Sequence, residues 1–150
     1  MHLLSAVPYL RVADMARSLA FYVDGLGFEV ARRMEDETGV FFARLEKDGV
    51  ALIVCNRPSR FMDWFDLADG NLHEHEHDGE SEHFHGIEAT HDGCLNFVTY
   101  FYVEDAGAVH TELKARGIEP MDAPEDQFYG VREFLLRDPD GYYYAVAQTL

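Results

Sequence analysis

The second half of the chain contains the run GVREFLLRDPDG at residues 130–141, a β-rich segment that ends in a turn. The first half contains a similar run, GVFFARLEKDG at residues 39–49, and the two opening glycines are 91 residues apart. Asp-Gly between β-rich segments is typical of a β-hairpin, and Pro139 suits the second position of a type I turn. Each run continues into an apolar segment, so each half is predicted to contain one β-hairpin.

The similarity between the two halves extends upstream of the hairpins. In each half a β-rich run leads into an aspartate, Asp14 or Asp105, that is a good helix N-cap. Apolar residues then recur at helical spacing until Gly27 or Gly117 ends the helix. Each half is therefore predicted to form one strand, one helix and three further strands. The expected fold class is α+β, as one domain over residues 1–150 with modules at 7–56 and 95–148.

The charge balance excludes several classes of partner. The chain has 12 Lys and Arg against 28 Asp and Glu, which gives a net charge of −16 over 150 residues. Such a field repels phosphate backbones and anionic lipid heads, so neither nucleic acid nor a membrane is an expected partner. The same field attracts cationic ligands, although an acidic surface that keeps the chain in solution explains the composition equally simply.

The expected location is the cytoplasm. No apolar run reaches the roughly 18 residues that a membrane span needs, and the first residues lack the basic and apolar regions of an export signal. The chain has two cysteines, Cys55 and Cys94, which we interpret as reduced packing residues.

Residues 57–94 match neither copy of the repeat and form an acidic, histidine-rich insertion. An aromatic cluster around Trp64 is followed by a tract in which His73, His75 and His77 alternate with acidic residues. In an extended chain these three imidazoles lie on one side, an arrangement that binds Zn²⁺ or Ni²⁺. We favour the alternative of a solvated acidic loop, because such a tract has no neighbouring groups to fix the ligand geometry.

The paired β-α-β-β-β layout resembles the vicinal oxygen chelate superfamily, which holds glyoxalases, extradiol dioxygenases and bleomycin-resistance proteins. The likeness is strongest to the bleomycin-resistance branch. Three stretches carry it: SAVP at residues 5–8, FYVDGLGF at residues 21–28 and GVREFLLRDPDG at residues 130–141. The resemblance implies two modules whose curved sheets form a cup, with the helices on the convex faces.

Enzymes of this superfamily hold a divalent metal through His and Glu side chains at four strand positions. The internal repeat assigns those positions here to Val7, Ile53, Val98 and Ala145. All four are aliphatic, whereas a metal needs imidazole, carboxylate or thiolate ligands. We therefore expect no metal, no cofactor and no metal-dependent catalysis, as in the bleomycin-resistance branch.

Strand alternation predicts which side chains line the concave surface. The expected ligand-binding residues are mostly aromatic, with a few polar groups: Tyr9, Arg11, Asn96, Tyr100, Tyr102 and Glu133 on the strands, with Trp64, Phe128 and Tyr129 at the rim. Aromatic walls with a few polar groups suit an organic ligand. Plainer alternatives stay open: the tyrosines are ordinary sheet residues, Glu133 pairs with Arg11 inside the fold, and Trp64 anchors the insertion.

Residues and resemblance together favour a metal-free small-molecule binding protein. It is expected to be a homodimer of the bleomycin-resistance type, with ligand grooves at the dimer interface, and to sequester a cationic or aromatic compound, as in antibiotic resistance. One alternative is a metal-dependent lyase, isomerase or dioxygenase with a non-standard metal site, drawn from the histidine tract. Another is a structural or regulatory protein that has the fold and no ligand.

Overall fold

A computed structural model of the chain describes residues 2–57 and 97–150. The elements of the first module are β1 (Tyr9–Arg11), α1 (Met15–Leu19), β2 (Glu29–Asp36), β3 (Gly39–Lys47) and β4 (Val50–Cys55). Those of the second are β5 (Val98–Tyr102), α2 (Ala106–Ala115), β6 (Glu125–Gln127), β7 (Val131–Arg137) and β8 (Tyr143–Thr149). This order confirms the predicted α+β fold class. Cys94, Asn96, Trp64 and the histidine tract lie outside the described residues, and the module boundaries stay predictions.

Each module builds one four-stranded mixed sheet. The strand orders are β1-β4-β3-β2 and β5-β8-β7-β6, so the two modules have the same topology. In both, the first strand runs parallel to the last, and the other neighbours pair antiparallel. The second hairpin turn is closed by a hydrogen bond of 3.1 Å from the Gly141 N–H to the Asp138 carbonyl, with Pro139 in its predicted place.

Both helices begin at the predicted caps. The Asp14 carboxylate accepts a hydrogen bond from the Arg17 N–H, and Asp105 accepts one from the Ala108 N–H. The first helix then continues as a π-helical turn, Ala20–Gly25. A Cβ atom on Gly25 would lie 2.6 Å from the Ile118 side chain, so a glycine allows this turn to approach the second module. Within the two described stretches, no helix is long and apolar enough to cross a membrane.

The helix-bearing faces of both sheets pack into one hydrophobic core. Leu45 and Val54 of the first sheet and Phe134 of the second belong to the same buried cluster. Tyr22, which follows α1, packs edge to face against Tyr144 of β8, with ring centroids 6.2 Å apart. The opposite face of each sheet carries no helix. We call these two surfaces the open faces of the sheets.

A buried chain of hydrogen bonds between two hydroxyls and a carboxylate joins the modules. The Tyr22 hydroxyl donates to the Asp138 carboxylate at 2.5 Å and lies 2.6 Å from the Tyr144 hydroxyl. Because Tyr22 gives its only proton to Asp138, Tyr144 is the donor in the second bond. Burial and the neighbouring Asp138 raise the pKa of both tyrosines above the ordinary value, so both hydroxyls keep their protons.

A second set of hydrogen bonds between the modules involves Asp140, in the same turn of the second module. The Asp140 carboxylate accepts from the Ala13 N–H at 2.8 Å and from the Ser18 hydroxyl at 3.0 Å. Arg17 approaches the same carboxylate at 3.4 Å. The turn therefore holds the start of α1 through bonds that span more than a hundred residues of sequence.

Candidate functional site

The open face of the second sheet gathers most of the predicted binding residues. In the strand register Tyr100 lies opposite Ala145, and Ala147 lies between Tyr102 and Glu133. Directly opposed residues on neighbouring strands project from the same face of a sheet. Tyr100, Tyr102 and Glu133 therefore share one surface, which the alternation of the strands predicted.

Four aromatic rings dominate this surface. Tyr100 and Tyr102 stack with their ring centroids 6.0 Å apart, and Phe128 packs edge to face on Tyr129 at 5.0 Å. The latter two belong to the turn before β7, in which Gly130 adopts a φ of +85°. Phe128 is 99% exposed and Tyr102 is 66% exposed. We call Tyr100, Tyr102, Phe128 and Tyr129 the aromatic face.

Glu133 lies among these rings with only one of its oxygens occupied. The Tyr129 hydroxyl donates to Glu133 Oε1. This bond raises the pKa of Tyr129 above its ordinary value, and the nearby Tyr100 hydroxyl acts in the same direction, so Tyr129 keeps its proton. Glu133 Oε2 is buried and has no hydrogen-bond partner among the described residues. The bond to this carboxylate thus comes from Tyr129 in the turn before β7. The alternative of a pair with Arg11 stays a prediction.

Two charged residues that share this face with Glu133, namely Glu125 and Arg137, were not predicted from the sequence. Glu125 of β6 lies directly opposite Glu133 in the register, so the two carboxylates share the open face. Arg137 is on the same face four residues further along β7, and its guanidinium lies over the Tyr143 ring, 5.4 Å from the centroid. Strand β6 has three residues, too few for a periodic pattern, so no signal in the sequence assigned Glu125 to this surface.

The structure separates two predicted residues from this group. Tyr9 lies opposite Ile53, and Arg11 lies opposite Cys55, on the open face of the first sheet. These two residues therefore lie on a different sheet from Tyr100, Tyr102 and Glu133. The remaining predicted residues, Asn96 and Trp64, lie outside the described parts of the chain.

Two of the cavities that the described residues line lie along the β3–β4 hairpin. The larger, of about 580 Å³, lies at the seam between the modules and includes Tyr100 from the aromatic face. Its described lining is otherwise apolar or neutral apart from Arg44, which is already bonded to Glu46 at 2.6 Å. The smaller, of about 480 Å³, also includes Arg44 and Glu46, with Lys47. Volumes of this size suit small molecules, but neither described lining contains a buried polar atom that lacks a partner.

The four positions that would carry metal ligands do not fit a metal. An aliphatic side chain has no lone pair to offer a cation, whatever its geometry, and this holds for Val7, Ile53, Val98 and Ala145. In residues 2–57 and 97–150, no group of three or more His, Cys, Asp or Glu side chains could hold a metal ion. The described site therefore differs in its donor atoms from that of the superfamily's enzymes.

Comparison with known proteins agrees with this fold. The family model of the Glyoxalase/Bleomycin resistance protein/Dioxygenase superfamily matches residues 2–146, and the chain belongs to this superfamily. A bleomycin resistance protein of Geobacillus stearothermophilus is 27% identical over 139 residues, which cover 92% of this chain and 91% of that protein. The predicted family is thus confirmed.

Solved structures show the same fold at low sequence identity. A glyoxalase/bleomycin resistance protein/dioxygenase from Nocardioides matches with a TM-score of 0.62 at 20% identity, covering 100% of this chain and 87% of that one. TnmS3, an antibiotic binding protein from Streptomyces sp. CB03234, matches with a TM-score of 0.61 at 17% identity, covering 99% and 100%.

Proposed function

We propose that this chain is a metal-free binding protein that sequesters an organic cation with aromatic rings on its aromatic face. The similarity to a bleomycin resistance protein and to an antibiotic binding protein supports a binding role and makes an antibiotic a candidate ligand. A sequestering protein needs to bind its ligand but not to catalyse a reaction on it. The described site offers aromatic surface and a carboxylate, and its described residues include no set of metal ligands.

The observation that carries the proposal is the free oxygen of Glu133. A buried carboxylate oxygen without a partner is costly, and a cationic ligand removes that cost. The surrounding tyrosine rings attract cations to their faces and stack on flat aromatic groups. The net charge of −16 raises the local concentration of such ligands and hence the rate of capture, which will fall with added salt.

A homodimer completes the proposed site. Phe128 and Tyr102 are too exposed in one chain to bury a ligand fully. The open face of the first sheet carries Met34, which is 41% exposed. A twofold partner that lays this face over the aromatic face covers the exposed rings, twice by symmetry. The cytoplasmic location also stays a prediction.

The dimer is tested by Phe128→Asp. The folded monomer loses almost nothing, because this ring is fully solvated, but a charge buried in a dimer interface is expected to weaken association at least about tenfold. Sedimentation velocity over a dilution series measures the change. Leu150→Asp is the matched control, since Leu150 is also exposed but follows β8 on the side opposite the aromatic face. Equal association of both variants would contradict the proposed interface.

Ligand binding is tested with two three-ring probes, acridine, which is uncharged at neutral pH, and 9-aminoacridine, which is a cation. The wild-type chain is expected to bind the cation more tightly, and Glu133→Gln is expected to lose about tenfold of that affinity, the usual contribution of a charged hydrogen bond. Fluorescence titration measures both constants.

Asp24→Asn provides the control for the titration. Asp24 is exposed in the π-helical turn that follows α1, so its substitution removes the same charge on the helix-bearing side, away from the aromatic face. It is expected to leave both constants nearly unchanged. If both variants weaken binding equally, the general field of the protein attracts the ligand and Glu133 has no special part. The metal-dependent alternative would need ligands from the histidine tract, and nothing in the described residues favours it.

A further inference from the structure

The Glu133 oxygen that has no partner needs a hydrogen-bond donor from the ligand, and positive charge alone does not provide one. A carboxylate oxygen only accepts hydrogen bonds, and Oε2 is buried without a partner among the described residues. A bound cation without hydrogens to donate balances the charge but leaves this acceptor unsatisfied.

No described side chain donates a hydrogen bond to Oε2. The Tyr129 hydroxyl has already given its proton to Oε1, so its remaining lone pairs can only accept. Glu125 stands opposite on the neighbouring strand and adds a second carboxylate to this face. Arg137, a cation of the same face, lies over the Tyr143 ring four residues away. The described surface thus leaves Oε2 without a bonded donor.

We propose that the aromatic face selects cations that carry N–H groups, such as protonated amines, amidines and guanidinium groups, over quaternary cations of equal charge and shape. The inference rests on the proposed function and narrows its ligand class. Ring faces attract both kinds of cation through the same electrostatic field. Only an N–H donor bonds to Glu133 Oε2, and Tyr129 offers a second acceptor beside it.

The test compares 9-aminoacridine with 10-methylacridinium. Both are flat three-ring cations, but the first carries N–H donors and the second has none. We expect the wild-type chain to bind 9-aminoacridine at least about tenfold more tightly, the usual effect of one charge-assisted hydrogen bond. Glu133→Gln is expected to reduce this ratio toward one. Asp24→Asn, which removes an exposed charge on the helix-bearing side, is expected to preserve it.

Three outcomes decide between the proposals. A ratio that is high in wild type and collapses in Glu133→Gln supports the inference. Equal binding of both cations, each tighter than neutral acridine, overturns the inference and leaves the proposed function intact. Failure of either cation to bind better than acridine overturns the proposed function itself. If Glu133→Gln does not fold, Glu133→Asp withdraws the carboxylate by one methylene and is expected to lower the ratio in the same direction.

Discussion

Replacing Tyr22 with phenylalanine is expected to lower the free energy of unfolding by about 3 kcal/mol, the range for breaking a buried bond to a charged group. Tyr22 stands in the middle of the chain that runs from Tyr144 to Asp138, and all three side chains are buried. Loss of its hydroxyl leaves two groups without a partner, the Asp138 carboxylate oxygen and the Tyr144 hydroxyl. Urea denaturation followed by fluorescence and circular dichroism measures the loss.

Tyr144→Phe is the matched control for this prediction. It also removes one buried hydroxyl, but from the end of the chain, so Tyr22 still donates to Asp138. The expected loss is about 1 kcal/mol, the typical net value of one hydrogen bond. The interpretation of a directed chain fails if Tyr144→Phe is as destabilising as Tyr22→Phe.

The effect of Tyr22→Phe should depend on pH. Burial raises the pKa of the Asp138 carboxyl above its ordinary value, and the bond from Tyr22 partly opposes this rise because it stabilises the ionised form. Tyr22→Phe therefore raises that pKa further. Above it, the variant carries the full cost of an unpaired carboxylate. As the pH falls through it, the carboxyl takes up a proton and no longer needs the donor, so the difference from wild type is expected to shrink.

The fold could be predicted from local signals because each module repeats them. Asp14 and Asp105 cap helices, and the turn at Pro139 closes a hairpin, as the sequence indicated. The same turn also carries Asp138 and Asp140, whose carboxylates accept hydrogen bonds from the first module. These bonds were not predictable, because the partners Tyr22 and Ser18 lie 116 and 122 residues away in the sequence. A local sequence pattern assigns a residue to a turn, but it does not identify the distant group to which the side chain bonds.

The candidate site was predictable to the extent that strand alternation governs it. Alternation assigned Tyr100, Tyr102 and Glu133 to one face, and the register of β7 and β8 places them there. It also assigned Tyr9 and Arg11 to the same surface, which a single chain divides between two sheets. Alternation sorts residues within a sheet but carries no information on how two sheets pack. The bond from Tyr129 to Glu133 depends on a turn whose conformation no periodicity describes.

The second large effect is expected for Asp140→Ala, which should destabilise the chain by about 3 kcal/mol. The Asp140 side chain is 1% exposed. Its removal leaves the Ala13 N–H without its acceptor and deprives the fully buried Ser18 of a partner in the other module. Because these bonds fix the start of α1 against the second module, the loss should appear in both the unfolding midpoint and the protection of the α1 amides from hydrogen exchange.

Two further variants show whether position or charge causes this loss. Asp140→Asn keeps one oxygen for the Ala13 N–H, and the Ser18 hydroxyl can rotate to accept from the new amide, so about 1 kcal/mol is expected. Asp126→Ala removes a carboxylate whose pair with Arg132, at 2.6 Å, lies on the surface, where ion pairs contribute little to stability. If Asp140→Ala were no worse than Asp126→Ala, the turn would not join the modules.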